Sequence, residues 1–219
     1  MKQRLSLLFF ILLIGSLMSG CAVGNKYTIA DVQAQFEATG EYSVAVASLD
    51  QRRFIVDKTS PDTFVGVVRG GYGNPFNATT LSGLPFADDV SQSICNSLTR
   101  KGFKVTPVSV AFDLTEEEVR ERLLSKKEDR ALLVIIRKWE SDSFINLNVG
   151  YDLSLKVIAR DGTILAAAQA KEDVNVPGSI WIGSLEMSKK EVPNIYKKSI
   201  EALLNNPQVV KVLASTSGE

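Results

Sequence analysis

One run of alternating residues constrains the fold of this chain more than any other feature of its sequence. Between residues 145 and 157 every odd position is apolar, and most even positions are polar. Side chains alternate between the two faces of a β-strand, so the pattern predicts a long strand with one buried face. Asp161-Gly162 then predicts a hairpin turn, and beyond it the apolar residues occupy even positions from 164 to 176. A pairing slipped by one residue would turn that face to water, so the sequence predicts a single register.

Helices and further strands are predicted around this hairpin. Thr115-Glu-Glu-Glu118 has the pattern of a helix-capping box, and Pro107 favours an edge position for its strand. We expect strands at 42–49, 52–57, 64–69, 103–110 and 132–136, and helices at 87–100, 115–127 and 189–205. The order β-α-β-α-β-β-β-α predicts an α+β two-layer sandwich, a mainly antiparallel sheet with helices packed on one face. The other face, with Asn146, Asn148 and Asp152, is expected to contact solvent.

The composition excludes several classes of function. The 219 residues include no histidine, which excludes a Ser-His-Asp triad, a Cys-His pair and histidine-ligated zinc. Two cysteines are too few for a disulfide framework or a thiolate metal site, so no metal or cofactor is expected. Because 25 basic residues balance 25 acidic ones, the charge does not predict binding to nucleic acid.

The first 21 residues predict where the protein resides. Lys2 and Arg4 precede a mostly apolar stretch that has the length of a signal-peptide core and is shorter than the ~20 residues of a membrane-spanning helix. Small residues then lead directly into Cys21. This order resembles the lipobox of bacterial lipoproteins, with Met18 in place of the usual leucine. The resemblance implies that residues 1–20 are a signal peptide and that Cys21 carries fatty-acyl chains, such as palmitate, that anchor it in a membrane.

The residues after Cys21 predict the membrane and the domain boundary. Ala22 stands where an aspartate would retain such a lipoprotein in the inner membrane of enteric-type bacteria, so we expect the periplasmic face of the outer membrane. Residues 21–40 are small, polar and weakly periodic, and we interpret them as the lipidated N-terminus and a tether. Residues 41–219 are expected to form a single globular domain. For residues 1–20, the alternative to a cleaved signal peptide is an uncleaved N-terminal anchor.

A second resemblance concerns the globular part of the chain. The helix-to-strand junction at 98–105, the alternating strand and the alanine-rich return strand resemble YajG-like lipoproteins over roughly residues 87–205. The order of elements is also similar to the N-terminal domain of TolB and to lipoprotein activators of peptidoglycan synthases. None of these families is recognised by a catalytic residue. The resemblance therefore implies a protein that is not an enzyme and that has a partner in the cell envelope.

The segment 66–86 is the main candidate for partner recognition. Its Gly71-x-Gly73 lacks the third glycine of a dinucleotide-binding fingerprint. We interpret the segment as a long loop, because its aromatic and basic residues follow no helical or strand period. Arginine and aromatic residues commonly anchor protein interfaces. The candidate partner-binding residues are Arg69, Tyr72, Asn74, Phe76 and, in a later apolar loop, Trp181. The alternative is that the aromatic side chains fold back over the core.

Two functions from different classes remain open on the sequence. The first is a non-catalytic lipoprotein that binds another envelope component. The second is a carrier or sensor of a small apolar ligand or lipid, held in a pocket beside the alanine-rich strand. A hydrolase is disfavoured because no nucleophile motif is present. Asp88 and Asp89 are interpreted as helix-start residues, and Cys95 as a small buried apolar residue.

Overall fold

A computed structural model of the protein describes residues 25–178 and 183–215. These residues form eight strands and five helices. The strands are β1 (Lys26–Tyr27), β2 (Ser43–Asp50), β3 (Phe64–Arg69), β4 (Pro75–Thr80), β5 (Lys104–Pro107), β6 (Arg130–Ser143), β7 (Leu147–Ala159) and β8 (Ile164–Val176). The helices are α1 (Arg53–Val56), α2 (Phe86–Thr99), α3 (Glu116–Leu124), α4 (Ser184–Leu204) and α5 (Pro207–Ala214).

The described strands belong to one mixed sheet in which β6 has the most neighbours. Along one side, β6 pairs antiparallel with β7 over almost its whole length, and β7 pairs antiparallel with β8. Along its other side, β6 pairs parallel first with β2, over residues 130–136, and then with β3, over residues 142–143. β5 extends the sheet beyond β2, whereas β4 and β1 extend it beyond β3. The sheet therefore divides into two branches along one side of β6.

The hairpin of β7 and β8 confirms the prediction made from the alternating pattern. Leu153 pairs with Ala170 and Leu155 pairs with Ala168, so odd positions of β7 face the core together with even positions of β8. Two predicted positions at the ends of the hairpin are exceptions. Ile145 precedes the first residue of β7 and is 73% exposed, and Ile164, the first residue of β8, is 50% exposed. The long hairpin therefore fixes one face of the sheet as its buried face.

Helices cover both faces of the sheet, which corrects the prediction of helices on one face only. α2, α4 and α5 share the main core with the even positions of the first half of β6. α3 lies on the opposite face, where Val119 and Leu123 share a second core with Leu133 and Ile135. The apolar run at 132–136 is uninterrupted because both faces of this segment are buried.

The sheet is also less antiparallel than the sequence predicts. β2 is parallel to both of its neighbours, β5 and β6. The reason is the crossover connection through α3, which joins β5 to β6 and places these two strands parallel on either side of β2. The antiparallel arrangement holds for β3 with β4 and for β6, β7 and β8.

The strand that the sequence predicts at 52–57 is not present. A buried ion pair at the end of β2 and a short helix take its place. The Arg52 side chain is fully buried, and its Nε and Nη2 donate to the carboxylate of Asp50 at 2.6–3.1 Å. Its Nη1 donates to the carbonyl of Phe64 at 2.7 Å, and the guanidinium lies 4.7 Å from the ring centroid of Phe86. These contacts join β2 to β3 and α2, and the chain then turns into the short helix α1.

Residues 66–86 form a hairpin and a short connection to α2, and not the long loop that the sequence predicts. β3 and β4 pair antiparallel from Phe64 to Arg69, so the turn itself comprises only residues 70–74. Gly66 lies at a bulge where β3 approaches β6, and a Cβ atom there would lie 1.8 Å from the hydroxyl oxygen of Ser141. Gly66, which counted toward the prediction of a loop, is therefore required by the close packing of two strands.

Residues 25–40, which the sequence assigns to a tether, pack against the domain. Tyr27, Ile29 and Phe36 are at most 4% exposed and belong to the main core. β1 also pairs with β4. The interpretation as a tether therefore does not hold from residue 25 onward, because these apolar side chains are buried singly and leave no periodic pattern. Cys21 lies outside the described residues.

A bulge in β6 between Ile136 and Lys138 changes which face each side chain joins. Before the bulge the even positions face the main core, and after it Trp139 does so. The Trp139 ring is fully buried, with centroids 5.6 Å from Phe86 and 5.7 Å from Tyr196. β6 consequently continues to Ser143, beyond the end that the apolar run predicts.

Candidate functional site

A groove of about 500 Å³ lies on the face of the sheet opposite the main core. One wall is apolar and consists of Phe54 from α1 with Phe64 and Val67 from β3. The floor and the other wall are polar and come from β6, β7 and β8, namely Lys138, Glu140, Asp142, Asn148, Gly150, Asp173 and Asn175. The groove therefore combines an aromatic wall with a charged floor.

The alternation of side chains along β7 and the bulge in β6 explain why polar groups meet at this place. The even positions of β7, which the sequence predicts to contact solvent, contribute Asn148 and Gly150. The bulge in β6 directs Lys138 and Asp142 to the same face as these residues. The second core, under α3, covers this face only beside β2 and the first half of β6. The second half of β6 is left to form the groove.

Two ion pairs hold charged side chains of the groove in place. Lys138 Nζ donates to Asp173 Oδ1 at 2.7 Å, and this hydrogen bond raises the pKa of Lys138. Arg69 donates through Nε and Nη2 to the two carboxylate oxygens of Asp142 at 2.7–3.1 Å, which raises the pKa of the guanidinium. All four side chains are more than a third exposed, so these pairs orient polar groups more than they stabilise the fold.

Gly150 leaves the space in which the first of these pairs forms. A Cβ atom at this position would lie 2.4 Å from Lys138 Nζ and 2.5 Å from Asp173 Oδ1. A side chain there would therefore push the lysine and the aspartate off the floor. Position 150 interrupts the polar alternation of β7 for this reason.

The structure brings four of the five predicted partner-binding residues together on the β3–β4 hairpin. Arg69 reaches Asp142 at the edge of the groove, and Tyr72 is fully exposed in the turn. Asn74 is exposed in the same turn, and Phe76 is half-buried on β4. The alternative that the aromatic residues fold over the core is thus wrong for Tyr72 and partly right for Phe76. Trp181 lies outside the described residues.

The turn between β6 and β7 lies beside the turn of this hairpin. A Cβ atom at Gly73 would lie 3.9 Å from the ring of Phe144. Phe144 is 39% exposed, and the adjacent Ile145 is 73% exposed. Tyr72, Phe144 and Ile145 together form an exposed apolar surface at one end of the sheet, here called the tip surface.

The remaining candidate residues occupy structural positions. Asp88 and Asp89 lie in the first turn of α2 and accept hydrogen bonds from serine hydroxyls, and burial raises the pKa of both carboxyl groups. Thr115 and Glu118 form the predicted capping box at α3. Cys95 is 2% exposed, and burial raises the pKa of its thiol to about 12, which confirms its interpretation as a buried apolar residue.

Within residues 25–178 and 183–215, no group of three or more acidic or cysteine side chains could hold a metal ion. No helix in that part of the chain is long and apolar enough to cross a membrane.

Comparisons with known proteins find similar structures at low identity. No protein-family model matches the chain, and no curated protein matches its sequence. A DUF330 protein from Xanthomonas campestris is 14% identical with a TM-score of 0.47, covering 82% of this chain and 96% of that protein. A PelC dodecamer from Paraburkholderia phytofirmans is 13% identical with a TM-score of 0.41, covering 78% and 91%.

A third similar structure is the lipoprotein GNA1162 from Neisseria meningitidis. It is 11% identical with a TM-score of 0.35, covering 74% of this chain and 99% of that protein. With TM-scores below 0.5, none of these similarities assigns a function to this chain. The resemblance to YajG-like lipoproteins and to TolB stays a prediction.

Proposed function

We propose that this protein is a non-catalytic lipoprotein that binds another envelope component in the groove. It is anchored through acylated Cys21 on the periplasmic face of the bacterial outer membrane. The observation that carries the binding role is the groove itself, in which Phe54, Phe64 and Val67 face a floor of ordered polar groups. A concave site with apolar walls and a few fixed polar groups is the usual form of a binding site.

The shape and charge of the groove favour an extended segment of a protein partner. The apolar wall can accept an aliphatic or aromatic side chain of that segment. Asn148 and Asn175 offer side-chain groups on the opposite side that can bond a peptide backbone. In and beside the groove there are two basic side chains, Arg69 and Lys138. There are three acidic ones, Glu140, Asp142 and Asp173, so the local charge is slightly negative. A neutral or basic segment is therefore preferred to an acidic one.

The basic groups of the groove favour binding over catalysis. The hydrogen bond to Asp173 raises the pKa of Lys138, which therefore stays protonated at neutral pH and cannot act as a general base. Arg69 is protonated at every physiological pH and is already engaged by Asp142. The sequence also lacks histidine, the commonest general base.

A carrier of an apolar ligand is the second candidate, and the packing supports it less. Ala166, Ala168 and Ala170 of β8 are 5–9% exposed. They share the main core with residues of α4 and α5. The helices therefore fill the space beside the alanine-rich strand in which such a ligand would have to lie.

Acylation of Cys21 is tested by metabolic labelling with an alkyne-tagged fatty acid. The wild-type chain should take up the label, and Cys21→Ala should not. The mature protein should also have lost residues 1–20 when its mass is measured. Label retained by Cys21→Ala, or a mature chain that still contains the first 20 residues, would contradict the predicted anchor.

Partner binding is tested by photo-crosslinking in living cells. Benzoylphenylalanine at Asn175, which lines the groove, should yield a crosslinked envelope protein that mass spectrometry can identify. The control position is Ala167, an exposed residue on the same face of β8 but about 26 Å away along the strand. In the Asn175 background, Gly150→Leu should abolish the crosslink, because its side chain displaces Lys138 and Asp173. Equal crosslinking from Asn175 and Ala167 would refute the groove as the binding site.

A further inference from the structure

We propose that the tip surface lies against the membrane in which Cys21 is anchored. Tyr72, Phe144 and Ile145 would then enter the interfacial layer of the bilayer, and the domain would stand with one end of its sheet on the membrane. This inference rests on the acylation of Cys21 in the proposed function. The occupant that we propose for the tip surface is a lipid bilayer and not a protein.

The direction of the first strand points to this orientation. β1 pairs parallel with β4, with Lys26 opposite Thr79 and Tyr27 opposite Thr80. β4 begins at Pro75, directly after the turn that carries Tyr72. The chain followed backwards from Tyr27 to its first described residue therefore runs toward the tip surface.

The length of chain between the anchor and the domain limits the alternatives. Cys21 precedes Asn25 by four residues, which span at most about 14 Å. The carbonyl of Asn25 accepts a hydrogen bond from the amide of Thr79, and β4 covers about 13 Å from Thr79 back to Pro75. The reach of the anchor thus matches the distance from Asn25 to the tip surface.

The opposite end of the sheet is out of reach of the same anchor. Ile164 begins β8 there, and twelve residue steps along β6, from Ser143 to Ala131, separate that level from the tip surface. These steps span about 40 Å, which leaves about 27 Å between Asn25 and the far end, roughly twice what the four residues before Asn25 cover. The domain can therefore rest on its tip surface but not on its opposite end.

The chemistry of the tip surface suits a membrane interface. Tyr72 is completely exposed, and Ile145 is 73% exposed. Tyrosine is enriched at the level of lipid headgroups because its ring is apolar and its hydroxyl is polar. Local charge does not oppose the contact, since Arg69 neutralises Asp142 and the exposed Lys26 is basic. Anionic headgroups attract basic residues near the surface.

The native cysteines permit a labelling experiment on the full acylated chain. The thiol of Cys21 is consumed in the lipidation, and the buried Cys95, with its raised pKa, does not compete for reagent. Ile145→Cys and Tyr72→Cys place a reactive thiol on the tip surface. Ile164→Cys is the matched control, because Ile164 is also an exposed apolar residue, 50% exposed, at the opposite end of the hairpin.

Each variant is purified from bacterial membranes, labelled with a fluorophore and reconstituted into vesicles of phosphatidylethanolamine and phosphatidylglycerol that contain nitroxide-labelled lipid. The nitroxide quenches only fluorophores close to the bilayer. We expect quenching at 145 and 72 to exceed quenching at 164 at least threefold. Similar quenching at all three positions, or none at 145 and 72, would overturn the proposed orientation.

Flotation of the vesicles separates this failure from failure of the proposed function. If the chains do not float with the vesicles and their mass lacks acyl groups, the anchor itself is refuted, and the orientation with it. If they float but the fluorophores at 145 and 72 remain in water, only the orientation is refuted. After that second result, the tip surface would be a candidate site for binding a protein.

Discussion

Replacing Arg52 by methionine should destabilise the domain far more than the same replacement at its neighbour Arg53. The Arg52 side chain is 0% exposed, and the side chain of its partner Asp50 is 4% exposed. Methionine can fill much of the space, but it leaves the carboxylate of Asp50 buried without a cation. The carbonyl of Phe64 also loses its donor at 2.7 Å. Removing one partner of a buried ion pair costs about 3–5 kcal/mol.

This cost is a large part of the stability of an ordinary domain, which is about 5–15 kcal/mol. In domains of this size each 1 kcal/mol shifts Tm by about 2–4 °C, so Arg52→Met should lower Tm by roughly 6–20 °C. The side chain of Arg53 is 94% exposed and lies 3.4 Å from Asp57 in an i,i+4 pair. Such exposed pairs contribute little, so Arg53→Met should leave Tm within about 2 °C of wild type.

Thermal melts followed by circular dichroism measure both variants under identical conditions. The double variant Asp50→Asn/Arg52→Met supplies a control on the cause, because it removes the stranded charge and should recover part of the lost Tm. Equal melting of Arg52→Met and Arg53→Met would refute the assignment of Arg52 to a buried pair. A double variant no better than Arg52→Met would show that lost packing, and not the buried charge, explains the effect.

Three further outcomes follow from burial and charge. Leu153→Asp places a charge where the side chain is 1% exposed and should cost several kcal/mol, seen as a lost unfolding transition in denaturant. Cys95, whose thiol stays protonated because its pKa is raised to about 12, should resist maleimide at pH 8 and react once the chain is denatured. Burial opposes ionisation of Asp152, but hydrogen bonds from Gln169 and Lys171 give it a lowered pKa. Its stabilising effect is therefore present above the unfolded-state pKa of about 3.9 and lost as pH falls through the folded-state value, so Asp152→Asn should flatten the acid limb of a pH–stability curve.

The elements predicted correctly are those whose signals are local. Alternation along β7, the Asp161-Gly162 turn and the capping box at Thr115 depend on residues adjacent in sequence, and the structure shows all three. Asp152 shows the limit of such signals. Its even position predicted an ordinary surface residue, yet its side chain is only 12% exposed because Gln169 and Lys171 of β8 cross over it.

The groove could not be predicted from the sequence because its parts are distant in the chain. Phe54, Lys138 and Asp173 come from α1, β6 and β8, and only the sheet topology brings them together. The parallel pairing of β3 with β6 involves just two residue pairs and leaves no pattern in either strand. The burial of Arg52 could not be predicted for a similar reason, since a buried cation is recognised only by the partners that surround it.

The bulge in β6 makes the fold sensitive to where the chain changes its length. β6 carries one residue more than β7 requires between Ile136 and Lys138, and Arg137 is that extra residue. Deleting Arg137 would leave Ile136 and Trp139 on the core side and Lys138 on the groove side, because the strand would simply become regular. Deleting a residue elsewhere in β6 while the bulge stays in place would invert every following side chain and exchange core for groove. Position 137 is thus the point in this strand at which the chain can lose a single residue and keep both of its surfaces.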